Sequence, residues 1–255
     1  MRVRSTAVFA LAFAVLAAMP VVSPAQDAKA AELPPARRII DRYVEALGGR
    51  DLARKYRSRR ATGRVTLAAQ GLEGRVEILA ARPDLLRIRL SIPGVGDLES
   101  GHDGRIGWIS NPLTGPMVIE GRALEQLRAD ADFDAALHEP SRYKVLETLE
   151  RTEFEGRPAY KLRAVRDNGD EDIEFFDVDS GLLLGTTTTR ETPMGAVTSV
   201  TVVGDYRRFG GLLLPTRVVQ RAAGTEQVIT IESVEFDVVD PERFVPPPAV
   251  RTLAK

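Results

Sequence analysis

Apolar and charged positions alternate with a period of two between Ala80 and Pro112. Leu86, Ile88 and Leu90 fall on one side and Arg87 and Arg89 on the other, which predicts a strand with one apolar and one charged face. In the strand before it Val76, Ile78 and Ala80 share a side and Glu77 takes the other, so continuing the alternation puts Arg82 on the apolar face. A guanidinium there needs a partner, because an unpaired buried charge is costly. The run Asp97 to Asn111 then turns over His102-Asp103-Gly104, a D-G hairpin signal, and carries the single tryptophan, Trp108, up the next strand.

The same period governs most of the chain to residue 240. Tyr160, Leu162 and Ala164 alternate with Lys161 and Arg163, and Val200 and Val202 alternate with Thr201. Turn signals recur at Gly71–Gly74, Pro93–Gly96, Glu155-Gly156, Asp167–Asp170, Asp179–Gly181 and Gly210-Gly211. The run Val228 to Val238 changes phase near Glu232-Ser233, which predicts a bulge. This is the pattern of an antiparallel meander of about ten to twelve strands, enough for an open sheet to curl. Asp170, Glu171, Asp172 and Glu174 crowd one turn and read as a solvated acidic loop.

Two segments switch to a helical period. Ile39, Ile40, Tyr43, Val44 and Leu47 recur at three- and four-residue spacing after Pro34-Pro35, and Gly48-Gly49 stops them. Asp51 to Tyr56 adds one turn. Between strands, Gly121 to Leu137 reads as a helix with Leu124, Leu127 and Ala131 on its apolar face. Both stripes need an apolar surface, and the concave side of a curved sheet is the one large enough.

Composition narrows the class. The chain of 255 residues is 44% hydrophobic and 28% charged with both signs mixed, the balance of a globular protein. Its net charge of -1 and the lack of a basic patch interleaved with aromatics exclude nucleic acid as a partner. Arg2 and Arg4 precede the apolar run Ala7 to Ala18, and Ser23-Pro24-Ala25 offers a cleavage site, so residues 1–25 read as a signal peptide and 26–33 as a linker. A second cut at Ala30, or an uncleaved anchor, is the alternative. With no cysteine the exported chain has no disulfide and no lipidated residue.

Catalytic patterns are weak. There are two histidines, His102 in a turn and His138 at a helix end, with no H-E-x-x-H and no cysteine nucleophile. Gly104 to Gly107 is not followed by a helix, so it is no phosphate loop. No metal and no cofactor is expected.

Arg82-Pro83-Asp84-Leu85, Asp103-Gly104, Trp108 and Asn111-Pro112 resemble the corresponding run in the periplasmic carriers of the LolA/LolB superfamily, the outer-membrane lipoprotein-sorting type. The tail Asp240–Phe244 with Pro246-Pro247 is similar to that family's C-terminal signature. The resemblance implies a mainly β fold, an incomplete, half-open antiparallel β-barrel covered by α-helices, over residues 34–248 with a tail at 249–255. It also implies a non-enzymatic, monomeric carrier of a lipoprotein acyl moiety or other lipid, working between a membrane-bound donor and acceptor, with Arg82 holding the covering helices shut. A sensor that presses on a partner protein, or a lipid or glycan hydrolase, are the alternatives. A glycine-rich hairpin, Tyr206 to Pro215, departs from the carriers and leaves free lipid, glycolipid and hydrophobic peptide open as ligands. The expected ligand-lining set is Leu67, Ile78, Leu86, Ile88 and Leu90 with Arg82 and Trp108, and the expected lid face is Leu124, Leu127 and Ala131.

Overall fold

The structure, a computed structural model of the chain, describes residues 32–192 and 195–254. The expected signal peptide, cleavage site and most of the linker lie outside the described residues. Helices α1 (Ala36–Leu47) and α2 (Arg50–Lys55) precede β1 (Ser58–Leu67), β2 (Leu72–Ala81), β3 (Leu85–Ile92), β4 (Gly96–His102), β5 (Gly107–Asn111) and β6 (Gly115–Ile119). Helix α3 (Gly121–Asp130) leads to β7 (Tyr143–Phe154), β8 (Arg157–Arg166), β9 (Glu171–Asp177), β10 (Leu183–Thr192) and β11 (Gly195–Gly204). A short pair, β12 (Arg207–Phe209) and β13 (Leu212–Leu214), is followed by β14 (Arg217–Ala222), β15 (Thr225–Phe236) and α4 (Pro248–Leu253).

Thirteen strands make one antiparallel sheet in the order β6-β5-β4-β3-β2-β1-β15-β14-β11-β10-β9-β8-β7, and β12 and β13 form a separate ribbon. The end strands β6 and β7 do not pair, so the sheet stays open. It nonetheless curls, because α3 touches both β5 and β10, second and tenth in that order. The fold is a half-open antiparallel barrel with helices over its inner face. Fifteen strands are described where ten to twelve were expected, the short β5, β6, β12 and β13 accounting for the excess.

Register fixes which residues face inward. Ala61 pairs with Ile78, Ile78 with Ile88, Ile88 with Ser100, and Ser100 with Ile109, a row on the inner face. The adjacent row, Leu79, Arg87, Gly101 and Trp108, therefore faces outward. Leu79 and Trp108 are sealed there by the C-terminal segment, whose 3-10 turn Pro241–Phe244 lies on β3 and whose α4 lies on β6; Phe244 and Val250 are buried with them. The expected phase change in β15 is a bulge at Glu232, since Thr62 pairs with Ser233 but Gly63 with Ile231. Gly63 is required there, because a Cβ would sit 2.0 Å from the Thr230 carbonyl oxygen.

Helix α1 buries Ile39, Ile40, Tyr43, Val44 and Leu47 against Leu162 and Phe176 of the inner face. It stops where Gly48 and Gly49 take positive φ and return their N–H groups to Glu45 and Val44. The expected helix from Gly121 to Leu137 is shorter. α3 ends at Asp130; beyond it Asp132 accepts the Asp134 N–H at 2.9 Å, a 3-10 turn spans Ala135–Leu137, and His138 takes a left-handed φ of 47°. Aspartates that bond to nearby backbone compete with helix formation, which the apolar spacing alone does not register.

Candidate functional site

The inner face of β9 carries the charges that fasten the covering segment. Asp170, Asp172 and Glu174, just before and along that strand, are 4%, 3% and 8% exposed, so the expectation of a solvated acidic loop is corrected. Their period-two spacing points all three inward, and each meets a partner. Asp170 accepts from Arg122 at 2.5 Å and Gln126 at 2.6 Å, both on α3. Asp172 accepts from Arg166 and Arg190 at 2.8 Å, and the same arginines hold Asp130, the last residue of α3, at 2.7 and 3.0 Å. Glu174 takes His138 Nε2 at 3.0 and 3.1 Å on its two oxygens.

His138 is enclosed by aromatic rings. Tyr143 stacks on it at 5.8 Å, and Tyr43 and Phe176 meet it edge-on at 5.7 and 6.1 Å. Its Nδ1 lies 3.1 Å from the Ala136 carbonyl, so the ring has an acceptor at each nitrogen, which suits the imidazolium. Burial works against that charge, but the Glu174 carboxylate outweighs it and holds the pKa of His138 above the ordinary value.

A second constellation centres on Arg82, at the end of β2. Its Nε donates to the Tyr56 carbonyl at 2.9 Å and its Nη2 to the Ala53 carbonyl at 3.3 Å, the last carbonyls of α2, while Nη1 pairs with Asp134 in the segment after α3. The Ala53 carbonyl also accepts the Tyr56 N–H at 3.4 Å, so the guanidinium adds a second donor there, supplies one to the Tyr56 carbonyl at the helix end, and ties two covering segments together. Phe133 lies between two cations, 5.0 Å from Arg82 and 5.5 Å from Arg59. The β12–β13 ribbon braces the same corner, with the Tyr56 hydroxyl donating to the Gly210 carbonyl at 2.6 Å.

Two cavities adjoin these groups. One, of about 50 Å³, lies between α1, α2 and the segment Phe133–Leu137, walled by Val44, Leu47, Phe133, Leu137, Leu212 and Phe236. The other, about 400 Å³, is bounded by Tyr43, His138, Arg142, Tyr143, Arg166 and Glu174. Ala136 belongs to both walls, so a single stretch of chain separates the two chambers, and the larger one sets Ala129, Ala135, Ala136 and Leu183 beside its charged groups.

Of the residues expected to line a ligand site, Ile78, Leu86, Ile88 and Leu90 lie together, half-buried, on the inner face of β2 and β3. Leu67 is at the far end of β1, opposite Leu72. None of these lines either chamber. Trp108 is separated from them by the sheet itself, fully buried on the outer face. Leu124 and Leu127 lie over Gly107, where a Cβ would meet Leu127 at 2.7 Å, and Ala131 is buried. Tyr43, Tyr143, His138, Glu174, Phe133 and Asp134 were missed; the alternating acids Asp170, Asp172 and Glu174 were the available signal for an inward polar row. Among the described residues no cluster of three or more His, Asp or Glu is placed to hold a metal ion.

The structure is similar to that of a LolA superfamily protein from Nitrosomonas europaea, with a TM-score of 0.54 and 13% identity over 84% of this chain and 99% of that one. It is equally similar to a DUF1329 family protein from Desulfovibrio piger, with a TM-score of 0.55 and 13% identity over 84% and 98% of the two chains. No protein-family model and no curated protein matches the chain. At this identity the likeness is one of fold, and the fold is the half-open barrel of the LolA type.

The His138–Glu174 pair gives a pH dependence with a definite sign. A pKa raised on folding contributes stability that is fully present below the unfolded value, near 6.5, and is lost as pH rises through the folded value. His138→Gln should therefore lower the urea midpoint clearly at pH 6 and much less at pH 9. An equal loss at both values would show that the imidazolium contributes nothing.

Proposed function

We propose that this chain is an exported, periplasmic, non-enzymatic carrier or binding protein that holds the acyl part of a lipoprotein or other lipid beneath its covering helices and passes it on. The observation that carries the reading is the Arg82 tie closing an apolar chamber of about 50 Å³. Sites for small ligands usually measure about 300–1,000 Å³. The chamber is thus the shut form of a site that a chain can open, and Arg82 is the contact that must yield. Arg82 makes three charge-assisted contacts, each contributing at most roughly 1.5–3 kcal/mol and less where water reaches the guanidinium, as it does here. Sheltering about ten methylenes from water stabilises by roughly 8 kcal/mol. An acyl chain can therefore displace the tie, and reclosure favours release to a tighter acceptor.

The ion pairs divide what is fixed from what moves. α3 is held at Arg122, Gln126 and Asp130, so Leu124, Leu127 and Ala131 belong to a fixed plug in this reading. The moving parts are α2 and the segment around Phe133 and Asp134. The half-buried stripe Ile78, Leu86, Ile88 and Leu90 extends the apolar surface along the inner face for the remainder of the chain.

Ile88→Asp should abolish uptake of a fluorescent fatty acid while circular dichroism stays that of the wild type; unchanged uptake removes this stripe from the site. Arg82→Leu should take up the same probe and transfer it to acceptor vesicles more slowly, because closure is weakened. Transfer at the wild-type rate would reduce Arg82 to a rim residue.

A further inference from the structure

The apolar chamber holds a charge that the closing tie does not use. Arg59, at the start of β1, turns to the inner face, two positions from the inward-facing Ala61. It lies in the wall of the 50 Å³ chamber with Val44, Leu47, Leu137, Leu212 and Phe236. Among the described residues its guanidinium makes no hydrogen bond and no ion pair, and it rests on the Phe133 ring, 5.5 Å away, which it shares with Arg82. Arg82, Arg142, Arg166 and Arg190, which fasten the cover, each hold an aspartate. Desolvation pulls the Arg59 guanidinium below its usual pKa, and the Tyr43 phenol, kept neutral by its own burial, opposes this. Arginine stays protonated even so, and a charge in apolar surroundings without a counterion is costly.

The charges around the chamber say what guest fits. Asp134, the acid in its wall, is taken by Arg82, and the other wall residues are uncharged, so Arg59 leaves one positive charge in excess. A monoanion with an apolar body balances it. A planar carboxylate matches the guanidinium fork in two parallel hydrogen bonds. It would displace no carboxylate at Arg59, whereas at Arg82 it would have to displace Asp134. Arg59 also shares a cross-strand row with Ala80 and Leu86, so the apolar stripe Ile78, Leu86, Ile88 and Leu90 begins beside it and offers the tail a path.

We propose that Arg59 receives the head of the cargo and selects a free long-chain acid, whose carboxylate it pairs, over an acyl chain held in an ester or amide. The path of the tail rests on the carrier reading. The pairing of an anion at Arg59 does not.

Equilibrium dialysis of the purified protein at pH 8 against labelled decanoate, decanol and butyrate tests the two separately. The wild type should bind decanoate about tenfold or more tighter than decanol, because the alcohol lacks the charge-assisted pair. Arg59→Met should weaken decanoate until the two bind alike, and Arg59→Lys, which keeps the charge, should restore part of the preference. The empty Arg59→Met protein should unfold at the wild-type temperature or above it, since the change removes a charge that has no partner. A clearly lower unfolding temperature would show that Arg59 serves the fold and would overturn the proposal. Decanol bound as tightly as decanoate by the wild type, or a preference for the acid that survives in Arg59→Met, overturns the role of Arg59 while carriage stands. Butyrate binding that is lost in Arg59→Met, with no binding of decanoate or decanol, overturns carriage and leaves the anion site. Binding of none of the three overturns both.

Discussion

The segment over the sheet depends on one arrangement: three carboxylates at alternate positions, Asp170, Asp172 and Glu174, turned inward and each met by a cationic or amide side chain. Ionised groups this deeply buried are tolerated only when paired, so losing a partner leaves a charge stranded rather than merely removing a bond. The arrangement reaches well beyond β9. Through Arg122 and Gln126 it fixes the start and middle of α3, through Arg166 and Arg190 its last residue, and through His138 the segment that returns the chain to β7. Covering elements of a half-open barrel have no strand partners of their own, and here ion pairs take that part.

Against these fixed points the other cover is lightly held. α2 has no buried residue of its own and is secured by Arg82, by the neighbouring ribbon and by salt bridges from Arg50 and Arg54 to Glu139. Its side of the cover encloses the apolar chamber. The end of α3 and His138 bound the larger one.

Period and turn chemistry made the sheet legible. Leu162 and Ala164 are buried as their alternation predicts, Gly48 and Gly49 end α1, and the bulge sits at Glu232. Arg82 was placed on the inner side by parity alone, although its partners Ala53, Tyr56 and Asp134 lie 26 to 52 positions away and no local pattern announces them. Trp108 reads more readily as core than as a ligand platform and is buried, but which face it lies on was not legible, because a strand whose two faces are both covered shows no difference between them and the cover on its outer side arrives from residues 241–253. The larger chamber was hidden for a related reason: its wall draws Tyr43 from the first helix, His138 from a turn and Tyr143 and Glu174 from two strands. The acids of β9 were visible as a cluster but not as a buried one, since burial depended on arginines elsewhere in the chain.

The central claim is that opening is confined to α2 and the residues tied to it by Arg82 while α3 stays docked. Amide hydrogen exchange with and without saturating palmitate tests it most directly. The account predicts faster exchange on loading at residues 50–56 and 132–137, with 122–130 as protected as in the empty protein. Faster exchange across 122–130, or no change at 50–56 in the loaded protein, would contradict it.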